Sequence, residues 1–206
     1  MGAVTEVSLR ARKRTAAMYR IQSVALDLFE ARGFEDVTVE EIAEASEVSP
    51  SSVYRYFGTK EQIVLWDEYD PDMAEILAAA LEADRVPLEG LRRVLTGMVA
   101  GIGPDDEARM IRRLRLALTS PALEQATIVG TYAISELVER VLAERLGRSV
   151  ADLEVQVFAH AFVGGLLGMF HHWQGTGYQA PLAEVMARTF AIFEAGLDVV
   201  AGPSGS

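Results

Sequence analysis

The segment from Pro50 to Tyr56 carries side chains that suit contact with nucleic acid. Ser51 and Ser52 lie where a helix is expected to begin, and hydroxyls at a helix N-terminus can bond phosphate, which the backbone N–H groups and the helix dipole also favour. Arg55 has the forked guanidinium that pairs with a guanine edge in the major groove. The pattern indicates a DNA contact, with a solvated helix face as the alternative interpretation.

Two apolar residues would hold that short helix against a core. Val53 and Phe57 lie one turn apart, so both can face inward while Tyr54 and Arg55 face outward. An exposed Tyr-Arg-Tyr run on so short a helix favours a contact surface over plain solvation.

Residues able to support catalysis or hold a metal are few. The chain has no cysteine, which excludes disulfides, thiolate zinc sites and a cysteine nucleophile. Along a helix, His160 and His171 would be about 16 Å apart, and the neighbouring His171 and His172 would point about 100° apart. The acidic run of residues 67–72 lacks the glycine and distal glutamate of a calcium loop. We therefore predict no enzyme activity, no metal and no cofactor.

The acidic charge of the chain lies mostly outside the candidate DNA segment. The 206 residues carry a net charge of -11, with 19 basic and 30 acidic residues. Residues 1–60 hold 8 Lys/Arg and 9 Asp/Glu, a net charge of -1, so the remainder carries 11 minus 21, or -10. Four basic residues precede the first expected helix: Arg10, Arg12, Lys13 and Arg14. They predict a flexible basic arm, with a merely solubilising N-terminus as the alternative.

Helix starts and stops recur closely around the candidate segment. Gly33 ends the first amphipathic helix, and Phe34 can fold back onto it. The starts that follow are Thr38 with Glu41, Ser49 with Pro50, and Thr59 with Gln62. Three starts within about 22 residues are typical of a helix-turn-helix, here residues 38–57.

The remainder of the chain has a helical pattern without strand signals. We predict an all-α fold of about nine helices, at 15–32, 39–46, 50–56, 60–82, 87–101, 104–118, 121–146, 150–174 and 181–201, with a bend or break of the fourth at Pro71. The tail of residues 202–206 is expected to be disordered. The most apolar stretch, Val157 to Phe170, is shorter than the roughly 20 residues of a membrane-spanning helix, so a soluble cytoplasmic protein is expected.

A specific resemblance covers about residues 15–65. The string ARGFEDV followed by TVEEIAEASEVSPSSVYRYFGTKEQIV closely resembles the DNA-binding domain of the TetR (tetracycline-repressor-like) family. By position, the resemblance implies that the DNA backbone is held by Thr38, Ser52, Tyr56 and Lys60. It implies that the major groove is faced by Pro50, Ser51, Tyr54 and Arg55. A solvated Lys60 is the alternative for that residue.

One position departs from the family pattern. Glu47 stands at a turn where many relatives have glycine, and a left-handed backbone costs a non-glycine residue roughly 1 kcal/mol. If the turn adopted another geometry, the reading helix would tilt and the assigned base contacts would change first.

The acidic helical body is expected, by likeness of fold, to dimerise through its last two helices and to enclose an effector. We predict a flexible arm at 1–14, a DNA-binding domain at 15–59 and an effector-binding and dimerisation domain at 60–201. The dimer interface is assigned to Gly164, Gly165 and Gly168, which allow close helix approach. The ligand-binding residues are assigned to Trp66, Tyr69, Met98, Met110, Phe162, Met169 and Trp173, with plain core packing as the alternative.

The later motif RLRLALTSPAL resembles a subset of the family that includes mycofactocin-associated regulators, which implies an apolar or acyl-CoA-like effector. Four arginines could bind an anionic head group or simply be solvated: Arg109, Arg112, Arg113 and Arg115. The sequence thus predicts a homodimeric repressor that binds a palindromic operator and is released by a small molecule. The alternative is a helical small-molecule-binding or enzymatic protein whose head no longer reads DNA.

Overall fold

The computed structural model describes residues 9–67, 73–83 and 86–196, and all regular structure within these ranges is helical. The ten helices are α1 Leu9–Arg32, α2 Val39–Ala45, α3 Pro50–Phe57, α4 Lys60–Leu65, α5 Met73–Ala83, α6 Pro87–Ala100, α7 Pro104–Thr119, α8 Pro121–Leu146, α9 Leu153–Gly175 and α10 Leu182–Ala195. They form two compact units, one within Met1–Asp70 and Arg115–Thr127 and one within Pro71–Leu114 and Ile128–Ser206. We call them the head and the body. The predicted all-α fold is confirmed.

One predicted helix start was wrong, and the expected break of the span 60–82 is present. The first helix begins at Leu9, so Lys13 and Arg14 are exposed residues of α1 and not part of an arm that ends at residue 14. The span 60–82 is two helices, because Trp66 adopts an extended backbone (φ -59°, ψ 132°) that ends α4. Pro71 and the tail of residues 202–206 lie outside the described residues.

The head is built around α1, whose inward face carries Ile21, Ala25 and Phe29. Gly33 closes this helix in a left-handed conformation (φ 90°), with its N–H donating to the Phe29 carbonyl at 2.8 Å. Phe34 then folds back so that its ring lies 4.9 Å from the Phe29 ring. The predicted helix stop and its hydrophobic anchor are confirmed, and they fix where the chain enters α2.

The body is centred on α9. Its inward face carries six buried residues: Val155, Ala159, Phe162, Val163, Met169 and Trp173. Helix α10 packs beside it through Leu182, Val185, Met186 and Phe190, all buried. Between them Gly165 leaves room for the Phe193 ring, since a Cβ added there would lie 2.5 Å from two ring carbons.

Helix α9 corresponds to the helix predicted at 150–174. It spans 23 residues with a mean hydropathy of 1.5 in its most apolar window, so it meets the length and composition of a membrane-crossing helix, a test that a core helix also passes. Only 28% of that window is buried. One face lies in the core, and the opposite face leaves Leu153 and Val157 more than half exposed. Such an apolar face suits burial against another protein surface.

Candidate nucleic-acid interface

Helix α2 begins with the predicted capping box. The Glu41 N–H donates to Thr38 Oγ1 at 3.2 Å, and the Thr38 N–H donates to Glu41 Oε2 at 2.8 Å. Arg32, in the last turn of α1, donates to the other Glu41 oxygen at 2.8 Å and to the Asp36 carbonyl at 2.6 Å. The hydrogen bond from Arg32 is the main reason why the pKa of Glu41 falls from 4.5 to about 2. The exposed Thr38 is thereby held in a fixed position at the start of α2.

The turn after α2 has the left-handed geometry that the family pattern implies. Glu47 has φ 56°. Its N–H donates to the Glu44 carbonyl at 3.0 Å, and the Val48 N–H donates to the Ala43 carbonyl at 2.9 Å. These two bonds form a Schellman closure, in which the left-handed residue is usually glycine. Glu47 therefore accepts backbone strain, and the turn needs no alternative geometry.

Helix α3 begins in a cluster of serine hydroxyls. Ser49 caps the helix by accepting from the Ser52 N–H at 3.2 Å, and Pro50 occupies the first turn as predicted. The Ser49 hydroxyl lies 2.9 Å from the hydroxyls of both Ser51 and Ser52. Three hydroxyls thus converge at a helix N-terminus, where donors and the helix dipole suit a phosphate.

The outer face of α3 carries the predicted reading residues. Arg55 donates to Ser52 Oγ at 3.3 Å, and its guanidinium carbon lies 5.1 Å from the centre of the Tyr56 ring. Tyr54 is 49% exposed, whereas Val53 and Phe57 are buried as predicted. Because two neighbours contact the guanidinium, Arg55 loses less side-chain freedom on binding than a solvated arginine would.

Lys60 lies at the start of α4 but its ammonium is directed to the head itself. Nζ donates to the Phe34 carbonyl at 2.8 Å and to the Val37 carbonyl at 3.0 Å. It also lies 4.3 Å from the centre of the Phe34 ring. The predicted phosphate contact of Lys60 is untested by this geometry, which commits two of its three donors to the loop between α1 and α2.

The end of α4 is held by residues that the sequence interpretation missed. Gln22, fully buried on α1, donates through Nε2 to the Ile63 carbonyl at 2.8 Å and to the Trp66 carbonyl at 2.9 Å. The Trp66 ring lies edge-on to Tyr19 at 5.2 Å and to Phe57 at 6.0 Å. A signal for Gln22 existed, because it occupies a core position in the helical register of Met18, Ala25 and Phe29.

The predicted ligand-binding residues do not form one group. Trp66 lies in the head unit, so its predicted ligand contact stays a prediction, and Tyr69 lies outside the described residues. Phe162, Met169 and Trp173 are buried in the core of the body, and ligand contact by them stays a prediction. Met110 packs at the edge of that core, and Met98 is half-buried on α6.

Among the described residues, the body has a cleft and a groove. A cleft of about 570 Å³ between α5 and α8 is lined by Ala74, Glu75, Ala78, Val141, Glu144 and Arg145. A groove of about 260 Å³ lies between α9 and α10, and Met169 is the one predicted ligand-binding residue on its wall. The larger cleft has the size of a small-molecule site, yet none of the predicted residues lines it.

The three glycines assigned to a dimer interface divide into two kinds. Gly165 faces Phe193 of its own chain and so serves packing within the body. Gly164 and Gly168 are exposed, and a Cβ added at either would meet no atom within 4 Å. These two continue the outward apolar stripe of α9 that begins at Leu153 and Val157.

The polar residues of the body are largely paired. His160 lies 3.0 Å from Glu139 and edge-on to the Tyr132 ring, so it is a satisfied histidine. Arg109 pairs with Asp106, and all four arginines of α7 have partners within the structure. Within residues 9–67, 73–83 and 86–196, no three His, Asp or Glu side chains converge as a metal site would require.

Family models match both parts of the chain. Residues 21–65 match the model described as bacterial regulatory proteins, tetR family, and residues 85–198 match the MftR C-terminal domain. The second match alone covers more than half of the sequence.

Individual relatives agree with these matches. The chain is 28% identical over 191 residues to MftR of Mycobacterium tuberculosis, by name a mycofactocin biosynthesis transcriptional regulator, covering 91% of this chain and 94% of that protein. It is 33% identical over 155 residues to the HTH-type transcriptional regulator TcmR of Streptomyces glaucescens, covering 70% and 66%. The crystal structure of Thermus thermophilus FadR with lauroyl-CoA has a similar fold, with a TM-score of 0.55 at 22% identity and coverage of 92% and 99%.

Proposed function

The chain belongs to the TetR family of bacterial regulatory proteins and has an MftR-type C-terminal domain, and we propose that it is a homodimeric repressor released from a palindromic operator by a small molecule. Proteins of this family are transcriptional regulators and not enzymes. In this proposal the protein acts on DNA in the cytoplasm.

The observation that carries the proposal is the pre-formed outer face of α3. Its hydroxyl cluster and its supported Arg55 are held by contacts within the head before any ligand arrives, and Tyr54 is exposed beside them. In this proposal the groove is read by Pro50, Ser51, Tyr54 and Arg55, while Thr38, Ser52 and Tyr56 hold the DNA backbone. Side chains fixed in advance lose less entropy on binding, which favours selective recognition by a short helix.

The outward stripe of α9 supports the homodimer. Leu153 is 69% exposed and Val157 57% exposed, and both precede Gly164 and Gly168 on the same face. Two copies of one helix can pack closely along small residues, and a two-fold axis would relate the two heads. Each head would then read one half-site, with centres roughly 34 Å apart or a near multiple of that distance.

An effector in the body is supported by the cleft between α5 and α8. Its volume of about 570 Å³ fits a drug-sized ligand, and its wall combines the apolar Ala74, Ala78 and Val141 with the charged Glu75, Glu144 and Arg145. We propose an apolar or acyl-CoA-like effector, which must bind the DNA-free state more tightly than the DNA-bound state. Titration of lauroyl-CoA into the protein–DNA complex should release the duplex. Unchanged operator affinity at saturation would refute this effector class.

Selection from a pool of random duplexes tests the DNA-binding proposal. The full chain should enrich a two-fold symmetric motif, and Arg55→Ala should relax the preference at one base of each half-site. Enrichment of no motif would refute operator recognition.

Sedimentation velocity tests the dimer. Val157→Asp should give a monomer with weak operator binding, whereas Ser23→Asp, which adds the same charge at an exposed position of α1, should remain a dimer. A dimeric Val157→Asp protein would contradict an interface on α9.

A further inference from the structure

Helix α4 is fastened to the rest of the head at both of its ends. At the first turn, Lys60 donates to the carbonyls of Phe34 and Val37 in the loop that leads into α2. At the last turn, Gln22 of α1 donates to the carbonyls of Ile63 and Trp66. Each bridge joins one side chain to two backbone carbonyls, so each restrains the path of a chain segment and not only a side chain.

The two bridges bracket the surfaces that would meet DNA. Val37 immediately precedes Thr38, the cap of α2, so the Lys60 bridge fixes the position of a proposed backbone contact. Trp66 contacts Phe57, the last residue of α3, so the Gln22 bridge fixes the base of the reading helix. Loss of either bridge would leave the DNA-facing residues present but less firmly placed.

The environment of Lys60 also argues against a free phosphate ligand. The ammonium is partly buried, has two carbonyl oxygens within 3.0 Å and lies over the Phe34 ring at 4.3 Å. Two of the three ammonium donors are committed to these carbonyls, so a phosphate could bind only the third donor unless the ammonium gave up charge-assisted hydrogen bonds and the cation–π contact.

We infer that Lys60 and Gln22 are positioning residues of operator recognition, which fasten α4 to α1 and to the loop before α2, and that Lys60 is not a phosphate contact. The inference rests on the proposed DNA-binding function. It predicts two separable effects, because a lost phosphate contact changes the salt dependence of binding whereas lost positioning changes selectivity.

The test compares Lys60→Met with the wild-type full chain on the selected duplex and on a random duplex, at 50 to 200 mM KCl. Lys60→Met should bind the selected duplex roughly tenfold more weakly and discriminate less between the two duplexes. The salt slope, which is the slope of log K against log KCl concentration, should stay unchanged. Lys60→Arg, which keeps the charge and the donors, should restore much of the discrimination. Gln22→Met has no charge to lose, so it provides the reference for pure loss of positioning, and Lys60→Met should resemble it.

Arg140→Met removes one positive charge at an exposed position of the body and should leave both the slope and the discrimination unchanged. Circular dichroism at the assay temperature verifies that each variant is folded. A slope reduced by about 0.9 per head, or about 1.8 for a dimer, with equal losses on both duplexes would identify Lys60 as a phosphate contact and overturn the inference. Wild-type binding by Lys60→Met would overturn it as well. A wild-type chain without any sequence preference would instead refute the proposed function.

Discussion

Replacing Glu47 by glycine should stabilise the helix-turn-helix. Glu47 has φ 56°, a conformation that costs an L-residue about 1 to 2 kcal/mol and costs glycine almost nothing. Glycine is more flexible in the unfolded chain, which offsets about 0.5 to 1 kcal/mol of that gain. The middle of the two ranges gives a net gain of about 0.7 kcal/mol. Glu47→Ala removes the same carboxylate and keeps a Cβ, so it should retain most of the strain.

Hydrogen exchange of the α2 and α3 amides in the full chain measures this difference. Exchange in Glu47→Gly should be roughly two- to fivefold slower than in Glu47→Ala, because the amides that open with the turn become harder to expose. Both variants should bind the selected duplex with equal affinity, since the turn already has the geometry that glycine favours. Equal exchange in the two variants, or weaker binding by Glu47→Gly alone, would refute the strain argument.

Three further changes probe other parts of the structure. Arg55→Ala should weaken operator binding by about 1 to 3 kcal/mol in a titration and lose one base preference, and an equal loss on random DNA would contradict its role in reading bases. Gly165→Ala should lower the unfolding free energy of the body by about 1 to 3 kcal/mol in urea, because the new Cβ would lie 2.5 Å from Phe193. The matched control is Gly97→Ala, at an exposed glycine of α6 where a Cβ meets no atom within 4 Å. The pKa of Glu41 falls from 4.5 to about 2, so its contribution to the unfolding free energy should be complete above pH 4.5 and lost as the pH falls toward 2. Glu41→Gln should lack this part of the dependence of the unfolding free energy on pH.

The local rules of helix capping predicted the head well. The starts at Thr38, Ser49 and Thr59 all appear with their side-chain hydrogen bonds. These signals span three or four residues, so they can be identified without knowledge of distant contacts. The left-handed turn at Glu47 could also be predicted from the local sequence, but the family pattern identified it, since glutamate does not itself favour this conformation.

The site residues that sequence interpretation missed or misplaced depend on contacts between distant residues. Gln22 reaches Trp66 across 44 positions, and nothing in the local pattern tells a buried glutamine with carbonyl partners from an exposed one. Trp66 follows the head in sequence, and only its ring contacts with Tyr19 and Phe57 assign it there. Gly165 and Gly168 look alike in sequence, yet one faces Phe193 and the other faces open space.

Electrostatics explain why positioning matters in this chain. The first 60 residues carry a net charge of -1, and α2 with its following turn contributes four glutamates: Glu40, Glu41, Glu44 and Glu47. Arg32 neutralises only Glu41, and the proposed backbone contacts at Thr38, Ser52 and Tyr56 are uncharged. A head of this kind gains little from the sequence-independent attraction that basic DNA-binding domains exploit. Apart from the local charges of Lys13 and Arg14 on α1, its affinity comes from well-placed hydroxyls and from Arg55, whose contributions depend steeply on geometry. Loosening α4 should therefore reduce selective binding more than the loss of a single surface charge would.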